Sequence, residues 1–185
     1  MEPAERKSVI RNTLPFLKSY SGQTIQQVIA LKGSYRLDSL VGVVEQALCD
    51  VSLIELTKSE RVVVAVEALE REVNNGGYDQ FFINSSSEFA PFVVQALEII
   101  GCPKVAAISA KALAELHLPE PIDGNTVTKI TLHLAPDGIA RLSELDEEYF
   151  ANDESIENCL FKFIEQHADE IHIPRQHNTA PRWTQ

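Results

Sequence analysis

The sequence predicts one all-helical domain, and three observations carry that expectation. Apolar residues recur at steps of three and four along most of the chain, which lays them on one helical face. Capping residues stand where those patterned segments begin and end. Apolar residues make up 44 % and charged residues 23 % of 185 positions, the balance of a folded unit with a full core and not of a disordered chain. Seven to nine helices are expected over residues 1–172, followed by a polar tail over residues 173–185, "IPRQHNTAPRWTQ".

Each element follows from local signals. Residues 21–52 hold one or two helices, interrupted near Gly33. Thr57 and Glu60 then stand at capping-box spacing, and Val62, Val66, Leu69 and Val73 form an apolar row. The valines would suit a strand, but the continuation "EALEREV" keeps the helical period and decides for a helix ending at Val73. Residues 85–101, "SSSEFAPFVVQALEIIG", give the clearest stripe: Phe89, Phe92, Val93, Ala96, Leu97 and Ile100. Ser85 with Glu88 offers a second capping box there, and Gly101 a left-handed stop. Pro103 fits the first turn of a helix over 103–116. Two prolines and a glycine make 117–125 a loop.

"TVTKITLHL", residues 126–134, has strand-like composition. A strand there would lack a partner, so helix is the expectation. Pro136 opens the next helix, with Ile139, Leu142, Leu145 and Tyr149 turned inward. Asp153 is read as the cap of the last one, whose core face is Ile156, Cys159, Leu160, Phe163 and Ile164.

Between two of these helices lies the least ordinary stretch, "NNGGYDQFFINSS", residues 74–86. One reading is pure geometry: Gly76 or Gly77 takes positive φ, the chain folds back, and Phe81 and Phe82 pack beneath. The other is a small-ligand or peptide site in which Tyr78, Asp79, Gln80 and Asn84 line a polar pocket beside Asn75. No base, nucleophile and orienting group stand together here, so no catalytic residue is assigned.

Charge gives a separate signal. The net charge is −11, and residues 137–170 hold eleven acids against Arg141 and Lys162. Such a chain repels nucleic acid and favours a basic partner. Glu144 with Glu147 and Glu148, and Glu154 with Glu157, sit at helical spacings that place carboxylates about 5–6 Å apart at Cβ, and Glu165 extends the second row. Phe161 falls on the wheel between Glu157 and Glu165, as an outward aromatic or one covered by Trp183. The common alternative is a solvated acidic face that only keeps the protein soluble.

Cys49, Cys102 and Cys159 lack metal or redox spacing and read as reduced thiols, Cys49 and Cys159 among apolar residues. His167, His172 and His177 are five apart, which does not stack ligands on a helix, so neither metal nor cofactor is expected. The longest uninterrupted apolar run, 62–66, is too short to span a bilayer, and "MEPAERKSVIR" lacks the order of a secretory signal. A cytoplasmic address is the expectation.

The segment 56–113 together with "LDEEYF" resembles the DNA mimic protein 19 family, also described as a domain of unknown function. Asn75, Gly76, Gly77, Tyr78, Gln80, Phe81, Phe82 and Asn84 follow the family pattern position by position, and Ile100 and Gly101 follow its helix end. The resemblance covers roughly residues 56–170. It implies an all-helical acidic protein without known enzyme activity. It implies that at least one member presents carboxylates in place of DNA phosphates to a DNA-binding protein. The function expected from residues and resemblance together is a non-enzymatic interaction protein whose acidic surface binds a basic partner, such as a DNA-binding regulator.

Overall fold

The computed structural model describes residues 14–174. Its order is α1 (Ile25–Ala30), α2 (Leu37–Leu48), α3 (Lys58–Ile83), a 3-10 turn (Ser85–Phe89), α4 (Ala90–Ile100), α5 (Pro103–Glu115), α6 (Gly124–Thr131), α7 (Pro136–Ala151) and α8 (Ile156–Gln166). Among the described residues the sole β-pairing is an isolated bridge between Lys32 and Tyr35.

α3 is the axis of the domain. It packs against α2, α4, α6, α7, α8 and the 3-10 turn. Val62, Val63, Val64, Ala65, Val66, Ala68 and Leu69 are all buried, so nearly every side of its first half is enclosed. That explains a valine run inside a helix: tertiary packing outweighs the modest helical disadvantage of a β-branched residue. Thr57 and Glu60 close the expected capping box. Glu60 is spent a second time, because its Oε1 accepts the His172 N–H at 2.8 Å. Through that bond, and with Ile171 and Ile173 buried, residues 170–173 fold back onto the start of α3. Ile173, read as the first residue of a polar tail, is therefore core. The rest of that tail from residue 175, with His177 and Trp183, lies outside the described residues.

Several local readings need correction. The helix does not end at Val73 but runs to Gly76 and Gly77, which carry the only non-helical angles inside α3. Ser85 and Glu88 form no capping box; a 3-10 turn stands there and Pro91 sits in the first turn of α4. Asp153 does not cap α8, whose N-cap is Ser155; Asp153 is drawn instead into an ion pair with Lys104. Ile139 is 48 % exposed because the buried face of α7 is set by Gly138, Leu142, Leu145 and Tyr149, about a quarter turn away. Cys49 is exposed at the end of α2 and not among core residues. The segment 126–134 is helical only as far as Thr131, in α6, which Asp123 caps through the Thr126 N–H; residues 132–134 leave the helix.

Candidate functional site

Two regions compete for a functional role. The first is the glycine joint within α3. Gly76 is extended (φ −164°), a conformation any residue can take, whereas Gly77 has φ 86°, which favours glycine. The joint leaves the second half of α3 without its usual backbone acceptors. Asp146 of α7 fills that gap: its Oδ1 accepts the Tyr78 N–H at 2.8 Å. The same carboxylate comes so close that a Cβ on Gly77 would lie 2.3 Å from Asp146 Oδ2. Burial raises the pKa of Asp146, against the lowering effect of the Tyr78 bond.

The polar groups expected to line a pocket are engaged inside this joint. Gln80 Nε2 and Asn84 Nδ2 both donate to Glu72 Oε2, at 2.9 and 2.7 Å. Arg71 Nε stands 3.5 Å from the other oxygen. Tyr78 is fully buried, with its hydroxyl 2.9 Å from Ser109 Oγ; its ring stacks on Phe82, which in turn packs against Phe81. Asp79 Oδ1 accepts the Gln80 N–H. Asn75 faces outward and, with Asn74, lines a cavity of about 290 Å³ whose other walls include Glu67, Glu70 and Glu157. There burial, and then repulsion from Glu70, pushes Glu67 up to about 8. Burial, then Glu157, pushes Glu70 up to about 7, although Tyr149 donates its hydroxyl to that carboxylate.

The second region is the acidic half of the chain, and the structure divides it. α7 packs on α3 and α5, and α8 on α2, α3 and α4. On α8, Glu165 is paired with Lys32 at 2.7 Å. Glu157 is half-buried and accepts from Ser155. Before it, Glu154 accepts the N–H groups of Lys104 and Val105, and so serves as the cap that Cys102 does not provide for α5. Phe161 is 1 % exposed, which corrects the outward aromatic of the wheel. α8 packs against α2 as well as α3 and α4, so its buried arc is wider than one stripe, and Lys32 Nζ lies 5.4 Å from the ring centroid. On α7 the outcome differs. Glu148 is exposed yet paired with Lys111. Glu144 and Glu147 are exposed and make no hydrogen bond or ion pair within the described residues; Arg141, engaged by Glu115, acts on Glu144 only from farther off.

Residues 54–167 match the family described as DMP19-like protein.

The chain belongs to the DMP19-like protein family.

No match is found among curated proteins or among solved structures. Within this DMP19-like domain, sequence reasoning overlooked Glu72 and Asp146, the two carboxylates that hold the joint. Asp146 and Tyr149 lie in "LDEEYF", the distant segment that shares the family resemblance, and that pairing was the available signal. It also overlooked Phe150, 58 % exposed, whose ring packs edge-on to Tyr149. Cys102 and Cys159 come together without a disulfide, and burial, then Cys159, raises the Cys102 thiol. Among the described residues no His, Cys, Asp and Glu group could hold a metal, and no helix is long and apolar enough to cross a membrane.

Proposed function

We propose that this DMP19-like protein is a non-catalytic interaction protein whose acidic surface engages a basic partner. A DNA-binding regulator that meets carboxylates in place of phosphates is the partner class that the resemblance implies for at least one member of this family. The supporting observation is the state of α7. Glu144 and Glu147 are exposed, one helical turn apart, on a helix held by buried Leu142, Leu145 and Tyr149. Fixed and unpaired carboxylates keep their full field for an incoming cation, whereas Glu148, Glu154 and Glu165 have spent theirs inside the chain. The working acidic row is thus shorter than the six carboxylates of the sequence pattern.

The test is retention of basic proteins from the native extract on the immobilised protein. Duplex DNA should displace them, and retention should weaken steeply as salt rises above 0.1 M, where screening acts over about 10 Å. Glu144→Gln with Glu147→Gln should reduce retention. Retention indifferent to salt, to DNA and to those substitutions would sink the proposal. The joint supports the ligand reading less well, because Gln80 and Asn84 already donate to Glu72.

A further inference from the structure

On the outer face of α7, Ile139, Ser143, Glu144, Glu147 and Phe150 lie within less than half of the helix circumference. All five are exposed, Ile139 by 48 % and Phe150 by 58 %. The two large apolar side chains stand at opposite ends of the face, eleven residues or about 16 Å apart along the axis. The unpaired carboxylates lie between them. Two cations beside this helix are turned aside: Arg141 pairs with Glu115, and Lys111 with Glu148, on the flank toward α5. The face thus combines fixed negative charge with two separated hydrophobic ends, and one of those is an aromatic whose ring is held edge-on by Tyr149.

From this juxtaposition we infer that the outer face of α7 docks a basic amphipathic helix of a partner protein. The partner's apolar stripe covers Ile139 and Phe150, and its Lys or Arg residues reach Glu144 and Glu147. The inference rests on the proposed acidic-surface function and deepens it: the partner is read by apolar contact as well as charge. Charge complementarity selects this occupant. A second copy would bring the same carboxylates against each other, in a chain of net charge −11. An anionic membrane or nucleic acid would meet the same repulsion. Helix-on-helix docking uses anchors at helical spacing, and an exposed aromatic is the residue type that most often dominates such contacts.

The decisive experiment uses the full chain and two synthetic peptides of 18 residues and identical Leu, Lys and Arg composition. One places leucine at helical i, i+3, i+4 spacing and the other is scrambled, with affinity read by calorimetry. The amphipathic peptide should bind at least about tenfold tighter than the scrambled one. Phe150→Ala and Ile139→Ala should erase that preference and leave the weaker charge-driven binding. Both are exposed positions, and thermal melts will verify that the variants fold. Glu144→Gln with Glu147→Gln should weaken both peptides, more so at low salt. Equal affinity for the two peptides, or a preference untouched by Phe150→Ala, overturns the helix-docking inference while leaving the charge-based function standing. Sedimentation showing a dimer that Phe150→Ala dissolves assigns the face to a second copy and also overturns it. Retention of basic proteins with no dependence on salt or carboxylates removes the underlying function instead.

Discussion

The glycine joint and the outer face of α7 differ in where their polar groups are spent. At the joint, Gln80, Asn84 and the Tyr78 N–H are all satisfied by Glu72 and Asp146. On α7, Glu144 and Glu147 point to solvent and make no hydrogen bond or ion pair among the described residues. Only six positions along α7 separate Ser143 on the outer face from Tyr149, which packs edge-on against the buried Tyr78; the same helix closes the joint with one side and presents charge with the other. An unusual string of residues marks a demanding piece of backbone geometry here, while the surface open to a partner is made of ordinary residues. Rarity in sequence signals constraint, and a constraint can be internal.

Breaking the joint should give the largest effect. Gly77→Ala combines an unfavourable left-handed φ with a Cβ placed 2.3 Å from Asp146 Oδ2, so a loss of about 2–4 kcal/mol in denaturant unfolding is expected. Gly76→Ala should cost less, because its φ is one that any residue adopts and the nearest obstructing atom is the end of the Gln80 side chain, which would have to shift from its bond to Glu72. Equal losses would mean that Asp146 is not what demands glycine at residue 77.

Next in size is the acceptor itself. Asp146→Ala leaves the Tyr78 N–H without its partner and should cost about 1–3 kcal/mol. Asp146→Asn keeps an oxygen in place and should recover much of that loss. If Asn is as damaging as Ala, the negative charge and not the hydrogen bond is what α7 brings to the joint.

The two carboxylate environments along α3 should also respond oppositely to pH. Burial opposes ionisation of Glu72, but the Gln80 and Asn84 donors together with Arg71 outweigh it and lower its pKa. Its contribution is therefore present above the unfolded carboxylate range and lost as pH falls through the folded value. Glu67 is raised to about 8, so the folded state binds its proton more tightly than the unfolded chain. Its effect has the reverse sign: stability declines as pH climbs from about 4.5 toward 8. Glu67→Gln should thus raise stability at pH 8, on the order of 1–2 kcal/mol, and flatten the pH profile on that side. Thermal melts of the variant and parent at pH 5 and 8 check it; an equal shift at both would remove the assigned cause.

The smallest effect belongs to the outer face. Glu144→Gln with Glu147→Gln should move stability by no more than about 0.5 kcal/mol, because neither carboxylate touches the fold. A larger loss would show that this face holds the domain together and would weaken its reading as a surface kept free for a partner.

The local code of this chain was sufficient for its helical class. The capping box of Thr57 and Glu60, the left-handed stop at Gly101, and the prolines that begin α5 and α7 act through backbone neighbours, and neighbours are what a sequence displays. The positive φ at one glycine of the joint was legible for the same reason. What stayed hidden depended on groups far apart in the chain. Glu72 meeting Asn84 across the bend, Asp146 reaching Tyr78 from α7, and Lys32 covering Phe161 have no local signature. A helical wheel also misplaced Ile139 and Phe161 in opposite directions. It assumes one buried stripe per helix, whereas α7 turns a narrow face inward and α8 is covered over a wider arc. Which carboxylates stay free could be decided only once lysines and backbone N–H groups from other helices had taken the rest.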